Sequence, residues 1–115
     1  MEKLILIAIF IGNLTITSYR GIPSQTDNSP LWTSNGDHTT KYGCAVSRDL
    51  LEQGFVHYGD IVYIKDYGLR VVNDCMGIKA HRAIDLFVMT KKEEEKIGIK
   101  HKNVWIIKKE LFICH

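Results

Sequence analysis

Six short runs of apolar and β-branched residues, each closed off by turn-forming residues, dominate this chain: residues 14–19, 44–46, 61–64, 69–73, 83–88 and 103–107. Only two segments between them read as helix, and both are short. One follows Ser47, a candidate N-cap, over residues 48–52 and ends near Gly54. The other follows Thr90, with Glu93 at the spacing of a capping box, and ends near Gly98. Neither is placed as the crossover of a βαβ unit, so the parallel doubly wound folds are excluded. With 115 residues there is room for one small domain. The expectation is an all-β chain forming a compact six-stranded β-barrel with one or two short helices.

Two regions stand outside that pattern. Residues 21–37 are rich in Ser, Asn, Asp, Gly and Pro, which marks a long loop tied to the core by Ile22, Leu31 and Trp32. Loops of this length in compact domains usually carry a function. Before the first strand, Met1-Glu2-Lys3 leads into an unbroken apolar run from Leu4 to Ile11, then Gly12-Asn13. Residues 1–13 fit the charged start and apolar centre of a secretory signal, leaving 14–115 as the barrel domain; the alternative is a buried strand. The run is too short to span a bilayer, which takes about 20 apolar residues.

Charge narrows the partners. The net charge is +2, and Lys91-Lys92 is followed at once by Glu93-Glu94-Glu95, the pattern of a solvated helix face and not of a nucleic-acid footprint. There is no Gly-rich phosphate loop. Three cysteines, Cys44, Cys75 and Cys114, form no CxxC pair, and His57, His81 and His101 have no ligand spacing, so neither a metal nor a cofactor is expected. Either Cys44 and Cys75 pair in an exported protein, or all three thiols stay reduced.

The chemistry is concentrated between residues 73 and 87. Asp74 closes one apolar run and Asp85, eleven positions later, is embedded in another. A carboxylate inside such a run normally costs stability, because burial disfavours its charged form. Strand alternation places Ala83, Asp85 and Phe87 on one face and Ile84, Leu86 and Val88 on the other. Asp85 can then face a groove while Ile84 and Leu86 fill the barrel. Its apolar neighbours and a charged Asp74 would raise its pKa, giving an acid protonated near neutral pH. The alternative is a structural pair hydrogen-bonded to backbone amides.

An ordered set of motifs carries a resemblance. Ala45-Val46-Ser47-Arg48-Asp49-Leu50-Leu51, then Tyr58-Gly59-Asp60-x-Val62-Tyr63-Ile64, Tyr67-Gly68, Asp74 and Arg82-x-Ile84-Asp85-Leu86-Phe87 resemble the three-aspartate domain of small cell-wall enzymes and of the membrane-bound lytic transglycosylase A family. Thr17-x-Tyr19, Gln25-Thr26-Asp27-x-x-Pro30 and Thr33-x-x-Gly36 resemble the entrance to the same domain. The resemblance implies a double-psi β-barrel that cleaves peptidoglycan glycan strands by an Asp-dependent lytic mechanism, with Asp85 as general acid and then base and Asp74 supporting it. The family's third aspartate follows an Ala-Val pair directly. Here Ser47 holds that place and Asp49 lies two positions on. The loop after Asp74 keeps one glycine, Gly77, where the family has two.

Lytic cleavage needs one carboxyl to protonate the glycosidic oxygen and then to take a proton from the sugar's own primary hydroxyl, which attacks internally. Hydrolysing enzymes instead use two carboxyls at a set separation. Thr26, Thr33, Asp49 and Arg82 are the candidate substrate-binding residues, with loop capping and surface ion pairing as the alternatives. Trp32 and Tyr19 are candidates for stacking on sugars or for core packing. The expected partner is the glycan strand of peptidoglycan, with no nucleic acid and no stable membrane span. Export to the periplasm or wall follows if the leader is a signal; otherwise the protein is phage-encoded or held in the cytoplasm before lysis. A barrel of expansin type that binds polysaccharide without cleaving it is the competing expectation.

Overall fold

A computed structural model describes residues 2–20 and 42–113, with side chains described to residue 110. In chain order the elements are β1 (Glu2–Arg20), β2 (Gly43–Val46), α1 (Arg48–Glu52), β3 (Ile61–Ile64), β4 (Gly68–Cys75), β5 (Ala83–Val88), α2 (Lys91–Ile97) and β6 (Lys100–Ile113). The six strands close into a barrel in the order β1-β5-β2-β4-β3-β6. Two neighbouring pairs, β1–β5 and β2–β4, run parallel and the rest antiparallel. The all-β, six-stranded closed barrel with two short helices is therefore as expected.

Alternation of side chains builds the core. Leu14 and Ile16 of β1, Cys44 and Val46 of β2, Val62 and Ile64 of β3, Val72 of β4, Ile84 and Leu86 of β5, and Val104 and Ile106 of β6 are buried together. Leu50 of α1 and Ile97 of α2 join the same cluster, so each short helix seals part of the barrel. Truncating such a side chain removes its transfer energy and leaves a cavity, about 2–5 kcal/mol for a Leu or Ile cut to Ala.

β1 and β6 are much longer than their share of the barrel. β1 runs from Glu2 to Arg20 through the expected boundary at residue 13, and its first half pairs antiparallel with β6 from Ile113 back to Trp105. A bulge between Phe10 and Gly12 separates this ribbon from the barrel portion. Leu4, Leu6, Ile9 and Phe10 are exposed on it. No helix among the described residues is long and apolar enough to cross a membrane.

Local chemistry accounts for the ends of elements. The Thr90 hydroxyl accepts from the Glu93 backbone N–H at 3.1 Å and caps α2, which stops at Gly98 with φ of 55°. Ser47 stands at the N-cap position of α1, but its hydroxyl does not cap that helix. It accepts instead from the Ala83 N–H at 3.0 Å, tying α1 to the start of β5.

Candidate active site

β5 lies between β1 and β2, and this position assembles the site. Thr17 of β1 is the register partner of Asp85, and Ala45 of β2 is its partner on the other side. Ala45 is in turn the partner of Asp74 on β4. Thr17, Asp85, Ala45 and Asp74 thus form one row across four strands. Two strand spacings put the aspartate backbones about 10 Å apart.

A bulge completes that row. Cys44 pairs with Val72 but Ala45 pairs with Asp74, so Asn73 is an extra residue on β4. Plain alternation from buried Val72 would turn Asp74 toward the barrel interior; the extra residue re-aims it. The Asn73 amide is accommodated by Gly43, where a Cβ would meet Asn73 Nδ2 at 2.5 Å and Oδ1 at 2.9 Å. Asp74 Oδ1 accepts from the Cys75 N–H at 2.8 Å.

Asp85 is half-buried, between Ile84 and Leu86, which are fully buried in the core. Beside it a second, smaller apolar cluster, Tyr19, Ala45 and Phe87 with Met76 against it, packs on the opposite face of the strands from the core. Tyr19 and Phe87 meet edge to face, with centroids 5.6 Å apart. This cluster strips water from the carboxyl, and burial pushes the Asp85 pKa up to about 6. The Thr17 hydroxyl opposes the rise by donating to Asp85 Oδ1 at 2.8 Å, while the charges of Glu94 and then Asp74 add to it. Burial thus outweighs the Thr17 hydrogen bond in setting the Asp85 pKa.

Tyr19 lies close enough to both aspartates to feel their charges. Its phenol is pushed up by burial first, then by the charges of Asp74, Asp85 and Cys44. Its hydroxyl is buried with no hydrogen-bond partner among the described residues. In the sequence Tyr19 reads as a stacking or core residue; its i, i+2 spacing from Thr17 is the signal that puts it on the site face.

Glu94 was not expected at all. Its backbone carbonyl accepts from the Ser18 hydroxyl at 3.5 Å, and its carboxylate pairs with Arg20 at 3.4 Å, which docks α2 on β1. In the sequence it is one of three consecutive glutamates, and nothing there singles it out.

The other candidates lie elsewhere. Asp49 accepts from the Arg82 N–H through both carboxyl oxygens, at 3.0 and 3.3 Å. Burial raises its pKa, but hydrogen bonds from Ser47, Arg82 and Leu50 outweigh this and hold the carboxyl below the usual range. Arg82 adopts φ of 45°, and its carbonyl accepts from the Thr15 N–H at 3.1 Å. Its guanidinium lies against the backbone of Gly12. Asp49 and Arg82 therefore brace the connection into β5. Thr26, Thr33 and Trp32 lie outside the described residues. Cys44 and Cys75 are free thiols, not a disulfide; Cys44 is buried in the core, its pKa pushed up to about 12 by burial.

A groove of about 470 Å³ opens elsewhere, lined by Tyr42, Ile61, Tyr67, Leu69, Arg70 and Val71 on the β3–β4 wall, and it holds neither aspartate. No protein-family model matches the chain, and no curated protein matches its sequence. The site is defined by its own geometry.

Proposed function

We propose that the chain is a peptidoglycan lytic transglycosylase in which Asp85 is the single acid and base. One observation carries this reading. Asp85 is a half-buried carboxyl on the outer wall of the barrel, with a pKa of about 6, and among the described residues one side-chain hydrogen bond reaches it, from Thr17 to Oδ1. Such a group is protonated in a useful fraction near neutral pH and can both give and recover a proton. In the proposed cycle, the Asp85 proton passes to the glycosidic oxygen as the bond to the sugar breaks. The Asp85 carboxylate then accepts the proton of the sugar's primary hydroxyl as that oxygen closes the internal ring. Asp74, in the same row, supplies negative charge toward the positive charge that develops on the sugar. The bonds and protons balance without water as a nucleophile.

The test is mass analysis of the muropeptides released from purified sacculi by the wild type and by Asp85→Asn. The reading expects anhydro-muramyl products from the wild type and a loss of at least about 10²-fold in the variant, the scale of a general acid. Equal release by both proteins would remove Asp85 as the acid.

A second reading, a barrel that binds polysaccharide without cleavage, rests on a separate feature. Phe10, Trp105 and Tyr63 are register partners across β1, β6 and β3, with ring centroids 5.4 and 5.8 Å apart. Phe10 and Tyr63 are exposed on this outer wall. Two exposed rings either side of a partly buried Trp105 offer apolar faces to the C–H faces of sugars. Sacculus pull-down that depends on these rings, without release of product, would favour this reading.

A further inference from the structure

The row across the strands assigns Thr17 a specific task. Among the described residues the Thr17 hydroxyl supplies the one hydrogen bond that Asp85 receives, at 2.8 Å on Oδ1. A hydroxyl that donates to Oδ1 favours that oxygen as the acceptor and leaves the carboxyl proton to Oδ2. Thr17 is held in place for this by the backbone register of β1 with β5, Thr17 opposite Asp85 between the flanking pairs Ile16–Ile84 and Ser18–Leu86. Ile16, Ile84 and Leu86 are fully buried, so the two backbones have little freedom to drift apart.

We propose that Thr17 is the positioning residue of Asp85, fixing which carboxyl oxygen carries the proton and keeping the group able to release it. The proposal rests on the reading of Asp85 as an acid that must also act as a base. Burial alone makes a carboxyl a permanent acid, protonated well above neutrality. A donor to its charged form restores the balance, because the carboxylate gains more from the hydrogen bond than the neutral acid does. The groups surrounding Asp85 act with opposite signs. Thr17 from β1 favours the charged form; Glu94 from α2 and Asp74 from β4 disfavour it. Tyr19 and Cys44 nearby are both pushed up by burial and stay neutral at physiological pH, and Arg20 is engaged with Glu94. Arg70 of β4 is directed to the Phe87 carbonyl at 3.1 Å, on the same strand as Asp85.

The experiment is a carboxyl-carbon NMR titration of Asp85 in the full chain, assigned by loss of the signal in Asp85→Asn. It is run on the wild type, Thr17→Val, Thr17→Ala, Thr17→Ser and Glu94→Gln. Val keeps the shape of Thr and removes the donor, so the Asp85 midpoint rises by roughly one pH unit or more. Ser keeps the donor and leaves the midpoint near that of the wild type. Glu94→Gln moves it downward. A midpoint unchanged in Thr17→Val, or an equal rise in Thr17→Ser, overturns the proposal. Thr17→Ala, which removes the donor and adds no bulk, keeps the test decisive if the Val variant folds poorly. In that case a midpoint raised in Thr17→Ala and near the wild type in Thr17→Ser supports the assignment, and an Ala midpoint near that of the wild type overturns it. The titration reads Asp85 whether or not glycan is cleaved. Inactivity on sacculi with the expected shifts would therefore defeat the functional reading alone, and unshifted midpoints in an active enzyme would defeat the Thr17 assignment alone.

Discussion

Asp74 and Asp85 flank one alanine: both are register partners of Ala45, one from each neighbouring strand of β2. Their separation in sequence reverses the chain between β4 and β5 and inserts β2 between the two strands. The smallest side chain that is not glycine therefore sits between two carboxyls. Ala45 is buried beneath Tyr19 and Phe87, with Met76 packed against the same cluster.

That arrangement costs stability, and the cost has a pH signature. Asp85 has a folded pKa of about 6 against an ordinary value of 3.8, so the folded state holds its proton more tightly than the unfolded chain. Stability is then unaffected by Asp85 below the ordinary value, falls as the pH rises through about 6, and stays lowered above it. That difference between the folded and ordinary values corresponds to about 3 kcal/mol. Asp85→Asn, which cannot ionise, should be more stable than the wild type by about 2–3 kcal/mol at pH 8 and by little at pH 4. Urea unfolding at the two pH values checks this; an equal difference at both would contradict it.

Asp49 should behave in the opposite way. Its pKa is held below the ordinary carboxylate value, so it contributes stability above that value and loses the contribution as the pH falls through its own. Asp49→Ala removes the acceptor for the Arg82 N–H and should destabilise the fold at neutral pH by about 1 kcal/mol, the worth of one such hydrogen bond. The Asp85 titration should not move. A shifted Asp85 midpoint in this variant would place Asp49 in the site and not in the brace beneath it.

The bulge that aims Asp74 is testable through Gly43. A methyl there would come within 2.5 Å of the Asn73 amide. Gly43→Ala should lower stability by about 1–3 kcal/mol, as overpacking does. Adding Asn73→Ala should recover part of the loss, because the two side chains compete for one space. Additive losses in a double-mutant cycle would show that the amide is not what excludes the methyl.

Tyr19→Phe should leave stability unchanged or raise it by up to about 1 kcal/mol, because its hydroxyl is buried without a partner among the described residues. Thermal unfolding of the two proteins decides this. A clear loss would mean that the hydroxyl is hydrogen-bonded.

Much of the barrel was legible from the chain. The helix over 48–52 and the strands over 61–64 and 83–88 coincide with α1, β3 and β5, because apolar alternation and turn residues mark them locally. The lengths of β1 and β6 were not. Each is extended by the other, and periodicity within one strand carries no record of its partner. Asp85's place outside the core followed from alternation with Ile84 and Leu86. The direction of Asp74 did not, because the bulge at Asn73 leaves no signal in residue type. Ser47 reads as a cap from its neighbours, whereas its hydroxyl is taken by Ala83, thirty-six residues on. Glu94 belongs to the same class: its relation to Asp85 exists only once α2 has docked on β1.

The most direct test of the central claim is mass spectrometry of the glycan fragments that the wild-type protein releases from purified sacculi in water enriched in heavy oxygen. If one acid both opens the glycosidic bond and draws in the sugar's own hydroxyl, the new ends are anhydro-muramyl and carry no label. Labelled reducing ends, or no fragments at all, would contradict it.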